Sequence, residues 1–584
     1  MAGNLIDMLR ATADRVGDDH GIRFYETRDD SDFIGYARLD QRSRVIAAAL
    51  QKRGLKPGDV VVLALHSDLE CVQAVYGVLY AGLGFASTAV SGTTAPDVMA
   101  GRIAGIASAS GAKLIISQDS TLEKFSGLDQ SDLFGGVPVT TVAQLLADGD
   151  GDAWVQPVID ESALAGLGFT SGSTGDPKGV IYTHGTLLAA MEASDRLMQA
   201  SQDSVIVGWS PFHHVMGLTV QVMLPAYLGA STVITSVEQF QRRPIFWLQL
   251  ISKYRATFSA AANFAFALCT QFATDEQIAE LDLSSLEMIT IGAEPVRMET
   301  VHAFLDRFAP TGIRESMIAP AFGATEAMLV TMKQRGNDMV VLNIDADALE
   351  SGTLRPAEAG VRSAEMVSCG TAGPTSTLAI VDPANGTRVP DGQVGEIWIS
   401  GPGISPGYWR RPDATAEVFG VRLTDDDEHE FYRTGDLGAV IDGELFVTGR
   451  LKDLIIVRGR NIYPQDIEAA AVRIQPEVGI GTAFELAGHP SEVGIVLELR
   501  DEAPTDAAGL AALAHDLRIA LVREFSLPSL AIAFLHPGDL PRTGSGKVRR
   551  ATTRMLLEQG DLPVVYADGF ASSANEAAHS VVVP

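Results

Sequence analysis

Hydrophobic and polar positions alternate along the chain in blocks whose lengths are typical of strands and helices. Leu5, Leu9 and Ala13 share one face of a predicted amphipathic helix, and a second helix is predicted from Tyr36 to Arg53. An apolar run at residues 60–65 predicts a buried strand and is followed by a predicted apolar helix over 69–81. The alternation continues through another apolar run at 113–117. It predicts an α/β fold in which helices cover a mainly parallel sheet.

Composition narrows the class of protein. The chain has 584 residues, too many for one ordinary core, and its 46% hydrophobic content is enough for sizeable cores. The net charge of -29 argues against nucleic acid and against anionic membrane surfaces as partners. Three scattered cysteines favour a reducing, cytoplasmic location over a disulfide framework. No apolar run approaches about 18 residues and the first residues lack signal-peptide order, so no membrane span is expected.

One stretch carries the first candidate chemistry. It follows the apolar run 163–169, which predicts a strand, and precedes a helix predicted from His184 to about Ala200. Its candidate phosphate-binding residues are Thr170, Ser171, Gly172, Ser173, Thr174, Gly175 and Lys178. Glycines allow backbone N–H groups to approach a phosphate, hydroxyls add donors, and a lysine adds positive charge. The spacing of the common NTPase phosphate loop is absent, so a different nucleotide site is indicated.

This stretch resembles the phosphate loop of the adenylate-forming superfamily, which includes acyl-CoA synthetases, fatty acyl-AMP ligases, peptide-synthetase adenylation domains and luciferases. Further stretches match that superfamily in order along nearly the whole chain. They lie at residues 291–297, 321–326, 395–403, 407–409, 432–437, 449–468 and 541–547. The stretch 449–468 is the most diagnostic, because it is almost the fatty acyl-AMP ligase form.

The resemblance implies two domains. A large N-terminal domain, residues 1–451, would hold the ATP and acyl sites. A small mobile α+β domain, residues 452–584, would turn about Lys452 and carry the catalytic lysine, Lys547. Residues 333–366 correspond to an insertion that fatty acyl-AMP ligases carry, and it implies restricted domain movement.

The resemblance also implies the nucleotide site. Glu326 would bind Mg²⁺, because a carboxylate is a hard oxygen ligand. Thr325 would hydrogen-bond a phosphate, Asp436 would accept the ribose hydroxyls, and Arg450 would contact ribose or phosphate. The residues expected around the adenine are Gly292, Ala293, Glu294, Pro295, Phe322 and Gly323.

The acyl side departs from the fatty acyl-AMP ligase pattern. His214 matches the histidine beside the acyl pocket, and His213, Ala262 and Asn263 are expected to line that pocket. The common Tyr-His-Asp is His213-His214-Val215 here, Ala262 replaces a usual proline, and Ile462 replaces a commoner histidine. Small residues at 260–262 favour a long or bulky apolar acid.

The implied reaction joins a carboxylic acid to ATP as an acyl-AMP and then transfers the acyl group to a thiol. The departures slightly favour CoA as acceptor over the phosphopantetheine of an acyl carrier protein. An enzyme that catalyses one half-reaction is a further alternative. A non-catalytic acyl-nucleotide binding protein is the alternative of another class, although Lys547, Glu326, Asp436 and Arg450 together argue against it. No residue supports a luciferase-like oxygenase.

Overall fold

The computed structural model describes residues 3–92, 94–128, 133–170, 178–486, 492–542 and 548–570. Helices within these ranges are α1 (Leu5–Val16), α2 (Tyr36–Lys52), α3 (Leu69–Tyr80), α4 (Pro96–Ser110), α5 (Asp119–Glu123), α6 (Val142–Asp148), α7 (His184–Met198), α8 (Leu224–Leu228), α9 (Val237–Arg242), α10 (Ile245–Tyr254), α11 (Asn263–Phe272), α12 (Asp275–Ala279), α13 (Met298–Phe308), α14 (Ala346–Glu350), α15 (Pro412–Val418), α16 (Pro464–Ile474), α17 (Ala507–Phe525) and α18 (Arg550–Gln559).

The strands in the same ranges are β1 (Gly21–Tyr25), β2 (Ser31–Gly35), β3 (Val60–Ala64), β4 (Gly84–Ser87), β5 (Leu114–Ser117), β6 (Val139–Thr141), β7 (Leu164–Thr170), β8 (Lys178–Thr183), β9 (Val205–Gly208), β10 (Ser231–Thr235), β11 (Phe258–Ala261), β12 (Met288–Ile291), β13 (Ile318–Ala324), β14 (Met328–Met332), β15 (Val341–Asp345), β16 (Ser363–Val367), β17 (Thr371–Ala372), β18 (Thr377–Asp382), β19 (Thr387–Arg388), β20 (Gly395–Ser400), β21 (Val421–Leu423), β22 (Asp426–Ile441), β23 (Glu444–Arg450), β24 (Ile455–Val457), β25 (Arg460–Ile462), β26 (Val478–Glu485), β27 (Val493–Leu499), β28 (Leu530–Leu535) and β29 (Val564–Asp568).

A six-stranded sheet has the order β6-β5-β3-β4-β7-β8 and is parallel except at its β7–β8 pair. All five residues of β3 are buried. This is the composition expected of a parallel strand covered on both faces by helices. The predicted strands and helices of this region are therefore confirmed. The antiparallel β7–β8 hairpin opposes Thr170 to Lys178, so both ends of the predicted phosphate loop lie side by side.

A second, nine-stranded sheet has the order β17-β14-β13-β12-β11-β9-β10-β1-β2. From β1 through β10, β9, β11, β12 and β13 its strands are parallel. The carboxyl ends of these strands meet at one edge, which is where open α/β sheets commonly bind ligands. A buried aromatic cluster that includes Trp247, Phe266, Phe304 and Phe308 supports the helices on one face of this sheet.

A third sheet, β19-β18-β20-β22-β21 with β23 paired to β22, is antiparallel and carries the segment that ends at Arg450. A 3₁₀ turn, Leu451–Asp453, follows directly. Beyond it lie the hairpin β24–β25 and a four-stranded sheet, β26-β27-β28-β29, whose core is closed by α16 and α17. The mixture of helices and strands in this part agrees with the predicted α+β character.

Most of the insertion predicted at residues 333–366 forms a hairpin of β15 and β16 with the short helix α14 between them. Glu350 at the end of α14 has an 8% exposed side chain and accepts hydrogen bonds from Arg362 and Arg460. Arg460 belongs to β25, and its Nη1 lies 2.7 Å from Glu350 Oε2. The insertion is therefore ion-paired with the C-terminal part of the chain.

Candidate active site

The two described ends of the predicted phosphate loop are Thr170 and Lys178. Lys178 begins β8, and its ammonium lies 4.9 Å from the centre of the Tyr408 ring. This cation–π contact holds the ammonium beside Tyr408. Ser171, Gly172, Ser173, Thr174, Gly175 and Lys547 lie outside the described residues, and their assigned roles stay predictions.

Glu326 lies in the turn between β13 and β14. A bulge between Phe322 and Gly323 shifts the register of this hairpin, and a side chain on Gly323 would meet Met328 O at 2.1 Å. The Tyr408 hydroxyl donates to Glu326 Oε1 at 2.9 Å, and Ser405 N donates to the Glu326 carbonyl at 2.8 Å. The hairpin geometry and these bonds fix the carboxylate at the edge of the nine-stranded sheet, with half-buried Thr325 preceding it.

Asp436 and Arg450 face each other on β22 and β23. Burial raises the pKa of the Asp436 carboxyl, while Arg450 opposes that rise and Glu326 adds to it. Asp436 is the main cause of the raised pKa of the Arg450 guanidinium, and Glu326 also contributes. Desolvation lowers the pKa of the Lys452 ammonium, and the positive charges of Arg450 and Lys178 lower it further. The carboxylates of Asp453 and Asp436 oppose this shift. Asp436 and Arg450 are in direct contact, because Arg450 Nε lies 3.0 Å from Asp436 Oδ1.

The turn after β12 is joined to the start of α11. Asn263 Oδ1 accepts from Arg297 N at 3.1 Å, and Glu294 Oε1 accepts from Phe264 N at 2.7 Å. The latter bond places a carboxylate at a helix N-terminus, where the helix dipole favours negative charge. The turn itself leaves Ala293 and Pro295 exposed, with Ala293 at φ 66°.

Gly292 begins this turn, and a side chain there would lie 2.8 Å from Ala321 O. The absence of a Cβ at Gly292 thus permits close approach of the β12 and β13 ends. Phe322, 9% exposed, follows Ala321 on the neighbouring strand. The predicted adenine-side residues of the two strand ends are therefore adjacent.

The two predicted acyl-side histidines lie in the turn before the π-helix Gly217–Met223. His214 Nδ1 accepts from Met216 N at 3.2 Å, which fixes the orientation of the imidazole ring. Burial lowers the pKa of His213 to about 4, with the charge of Arg102 adding to the shift. His213 is therefore neutral at neutral pH. Ala262, 5% exposed, precedes α11 with an extended backbone.

Tyr408 and Tyr432 are site residues that sequence reasoning missed. The charge of Glu326 contributes to the raised pKa of both phenols, after burial. Both tyrosines stand in stretches that match the superfamily, at 407–409 and 432–437, but the first indicated only a strand or turn and the second only the ribose contact of Asp436. Their hydroxyls mark them as possible partners of a buried carboxylate.

The donor set around Glu326 determines which metal it suits. Among the residues described, no group of three or more His, Cys, Asp or Glu side chains is arranged to hold a metal ion. A single carboxylate fits Mg²⁺, which commonly takes one or two protein carboxylates and fills its remaining positions with substrate phosphates and water. The Glu326 carboxylate, held by Tyr408, is the candidate metal ligand.

Carboxylates, a guanidinium and ammonium groups in an α/β fold of this kind are the groups that a nucleotide site uses. The chain belongs to the AMP-binding enzyme family, whose model matches residues 9–409. It is an adenylate-forming ligase that uses ATP, within the group of fatty acyl-AMP ligases and acyl-CoA ligases.

Two relatives illustrate this group. The chain is 35% identical over 541 residues to the medium-chain-fatty-acid–[acyl-carrier-protein] ligase JamA of Moorena producens, covering 91% of this chain and 90% of JamA. It is 33% identical over 541 residues to the long-chain-fatty-acid–AMP ligase FadD26 of Mycobacterium marinum, covering 89% and 90%.

Solved structures agree with these relatives. A structure from studies of fatty acyl-adenylate ligases from E. coli and L. pneumophila aligns with a TM-score of 0.87 and 32% identity, over 96% of this chain and 98% of the other. The L. pneumophila fatty acyl-adenylate ligase in complex with acyl adenylate and pyrophosphate aligns with a TM-score of 0.74 and 30% identity, over 97% and 98%. No helix in the described ranges is long and apolar enough to cross a membrane.

Proposed function

We propose that the protein activates a medium- or long-chain fatty acid as an acyl-AMP and transfers the acyl group to the phosphopantetheine thiol of a carrier protein. The observation that carries the proposal is a set of contacts: Arg450 Nε lies 3.0 Å from Asp436 Oδ1, and Tyr408 contacts both Glu326 and Lys178. These groups offer a carboxylate for a metal, a carboxylate for ribose hydroxyls and cations for phosphate oxygens. The names of JamA and FadD26 support a fatty acid as the substrate class.

In the first half-reaction, the fatty acid carboxylate attacks the α-phosphorus of ATP and the bond to pyrophosphate breaks. Asp436 accepts hydrogen bonds from the ribose hydroxyls. Arg450 gives up part of its contact with Asp436 and binds ribose or phosphate oxygens instead. Lys178, with Thr174 and Lys547 in their predicted roles, stabilises the negative charge that develops on the phosphates. Magnesium, when held by Glu326, supplies further positive charge against those oxygens.

In the second half-reaction, the thiol loses its proton to solvent, its sulfur forms a bond to the acyl carbonyl carbon, and the bond between that carbon and the AMP oxygen breaks, so that AMP leaves with the bonding electrons. His214 lies beside the acyl group in this proposal, and neutral His213 adds no charge to an apolar pocket. No covalent acyl-enzyme intermediate is needed, because the acyl group is already activated in the acyl-AMP. Between the two steps the C-terminal part would rotate about Lys452. This rotation would remove Lys547 from the active site and bring the β24–β25 hairpin to the acyl-AMP.

Two observations favour a carrier protein over CoA. JamA, a carrier-protein ligase by name, matches 91% of this chain. The bond between Glu350 and Arg460 also ties the insertion to the β24–β25 hairpin, so any large rotation of this hairpin must break a mostly buried ion pair. CoA remains the second candidate. Its support is the run Phe212-His213-His214-Val215, Ala262, and the match to the putative fatty-acid–CoA ligase FadD21 of Mycobacterium tuberculosis, 31% identical over 94% of this chain.

The test is a panel of acids of increasing chain length, incubated with ATP and Mg²⁺ and followed by pyrophosphate release and mass spectrometry. Each acid is assayed alone, with CoA, and with a phosphopantetheinylated carrier protein. We expect acyl-AMP with acid alone and a thioester with the carrier but little with CoA. A CoA thioester formed as fast as the carrier thioester would favour the second candidate. Thermal stabilisation by ATP with no pyrophosphate from any acid would favour a non-catalytic binding protein.

A further inference from the structure

Tyr408 lies between two candidate site residues that come from different sheets. Its hydroxyl donates to Glu326 Oε1 at 2.9 Å, and its ring centre is 4.9 Å from Lys178 Nζ. Lys178 belongs to the six-stranded sheet, whereas Glu326 belongs to the nine-stranded sheet. Tyr408 itself is 9% exposed, so its position is fixed by packing. One side chain therefore touches both the end of the phosphate loop and the candidate metal carboxylate.

The backbone around Tyr408 is held on both sides. Tyr408 forms an antiparallel bridge with Val180, and Trp409 N donates to Gly179 O at 2.7 Å. Tyr408 N donates to Thr415 Oγ1 at 2.9 Å. Gly407 has φ 148°, and a side chain there would lie 2.4 Å from Thr415 Cγ2. These constraints set the direction of the Tyr408 side chain before any ligand binds.

The far edge of the ring is packed as well. Phe419 meets Tyr408 edge-on at 5.2 Å and stacks on Tyr432 at 4.7 Å. Rotation of the Tyr408 ring would therefore disturb an aromatic row as well as two polar contacts. A ring locked in this way can hold a carboxylate in one rotamer.

We propose that Tyr408 is a positioning residue that holds Glu326 for Mg²⁺ and Lys178 for the ATP phosphates; the inference rests on the proposed adenylation reaction. Partners of a metal-ligating side chain orient that ligand, and their loss typically weakens metal affinity about 10- to 100-fold. The hydroxyl engages Glu326 Oε1 and so fixes the orientation of the carboxylate toward the metal. The ring meanwhile holds the lysine ammonium near the same turn. Tyr408 would thereby set the spacing between metal and lysine.

The test compares Tyr408→Phe with Tyr36→Phe in the full-length protein. Tyr36 is a matched control because it is fully buried and its hydroxyl donates to Ala230 O at 2.8 Å, among core helices and strands. Binding of Mn²⁺ in the presence of ATP is measured by electron paramagnetic resonance, and the Mg²⁺ dependence of pyrophosphate release is measured separately. We expect Tyr408→Phe to weaken Mn²⁺ binding and raise half-saturating Mg²⁺ about tenfold. The KM for the acid should stay within about twofold, and Tyr36→Phe should leave both metal readouts unchanged.

A double-variant cycle separates positioning from general stability. If Tyr408 acts through Glu326, then Tyr408→Phe should weaken Mn²⁺ binding in the wild-type background and have no further effect in a Glu326→Ala background. Should Tyr408→Phe fail to fold, Thr415→Val supplies the test. It removes the hydrogen bond from Tyr408 N to Thr415 Oγ1 of α15 and leaves the Glu326 side chain unchanged. A twofold to threefold rise in half-saturating Mg²⁺ is expected for that variant.

Unchanged Mn²⁺ affinity and Mg²⁺ dependence in Tyr408→Phe, or an equal loss in the Glu326→Ala background, would overturn the inference. Failure of the proposed function looks different. In that case the wild-type protein releases no pyrophosphate with any acid, while the Mn²⁺ binding measurements still report whether Tyr408 positions the carboxylate.

Discussion

Asp436 Oδ1 and Arg450 Nε lie 3.0 Å apart across adjacent strands, in register with each other. The Asp436 side chain is 12% exposed, whereas the Arg450 side chain is 58% exposed. The carboxylate is therefore held within the sheet, while the more exposed guanidinium has room to turn. In the proposed reaction the ribose hydroxyls donate hydrogen bonds to the Asp436 carboxylate, and Arg450 turns toward oxygens of the nucleotide.

Replacing Asp436 by Asn tests this arrangement. Hydrogen bonds to charged groups contribute about 1.5–3 kcal/mol, so we expect kcat/KM for ATP to fall roughly 10- to 100-fold. The wild-type enzyme should prefer ATP over 2′-deoxy- and 3′-deoxy-ATP, and Asp436→Asn should lose most of that preference. Steady-state pyrophosphate release with the three nucleotides measures it.

The control is Asp282→Asn, which removes an exposed ion pair with Arg255, two residues with no assigned role in the candidate site. Exposed pairs contribute about 0–1 kcal/mol, so activity should not change. If Asp436→Asn kept the full preference for ATP over its deoxy analogues, Asp436 would not be the ribose ligand.

Continuous local patterns made much of this fold predictable. The apolar run at 163–169 became β7, the helix predicted from His184 became α7, and the motif at 321–326 became the end of a strand and a tight turn. In each case the deciding information lies within a few neighbouring residues. Buried strands require apolar side chains, and turns require small ones.

Long-range contacts and polar hairpins were not predictable in the same way. Tyr408 and Glu326 are 82 positions apart, and nothing near either residue indicates the other. The β15–β16 hairpin escaped prediction because β16 is exposed along most of its length, so no alternation of apolar and polar residues marks it. Its stability comes from pairing and from ion pairs such as that of Glu350 with Arg460, which local sequence does not encode.

A second prediction concerns acid stability. Burial lowers the pKa of His184 to about 4, and Nδ1 of this fully buried histidine accepts from Leu5 N at 3.1 Å. Between pH 6.5 and about 4 the unfolded chain binds a proton that the folded protein excludes, so stability falls as pH falls through that window. The loss reaches about 3 kcal/mol at the acid end. Urea unfolding at pH 7 and pH 5 measures it.

His184→Asn should reduce this pH dependence, because the amide oxygen can accept from Leu5 N and does not titrate. The control is His515→Asn, a substitution at an exposed position of α17. Equal pH dependence in wild type and His184→Asn would show that His184 does not cause the acid sensitivity.

A third prediction addresses the close approach of β12 and β13. Gly292→Ala would bring a Cβ within 2.8 Å of Ala321 O, closer than the backbone can accept without shifting. We expect lower stability by about 1–3 kcal/mol and a several-fold higher KM for ATP, because the adenine-side turn moves. Thermal unfolding and ATP kinetics measure the two effects.

Gly105→Ala is the matched control, since Gly105 lies within α4 and a side chain there meets nothing within 4 Å. It should stabilise the protein by about 0.5–1 kcal/mol without changing the KM for ATP. An unchanged KM in Gly292→Ala would separate this glycine from nucleotide binding.

The last prediction concerns acceptor choice. Arg460 donates to Glu350 of the insertion and, at 2.8 Å, to the carbonyl of Phe525 in the C-terminal part. Arg460→Ala removes the ion pair between the insertion and the C-terminal part of the chain, and Glu350 keeps its ion pair with Arg362. If this ion pair restrains rotation of the β24–β25 hairpin, CoA thioester formation should rise several-fold while acyl-AMP formation stays within about twofold.

Arg473→Ala, which removes an ion pair with Glu524 outside the insertion, is the control and should leave both rates unchanged. Thioester yield by mass spectrometry, with CoA and with carrier protein in parallel, measures the change. A CoA rate that stays at the wild-type level would mean that acceptor choice is set elsewhere, in the thiol's approach to the acyl carbonyl.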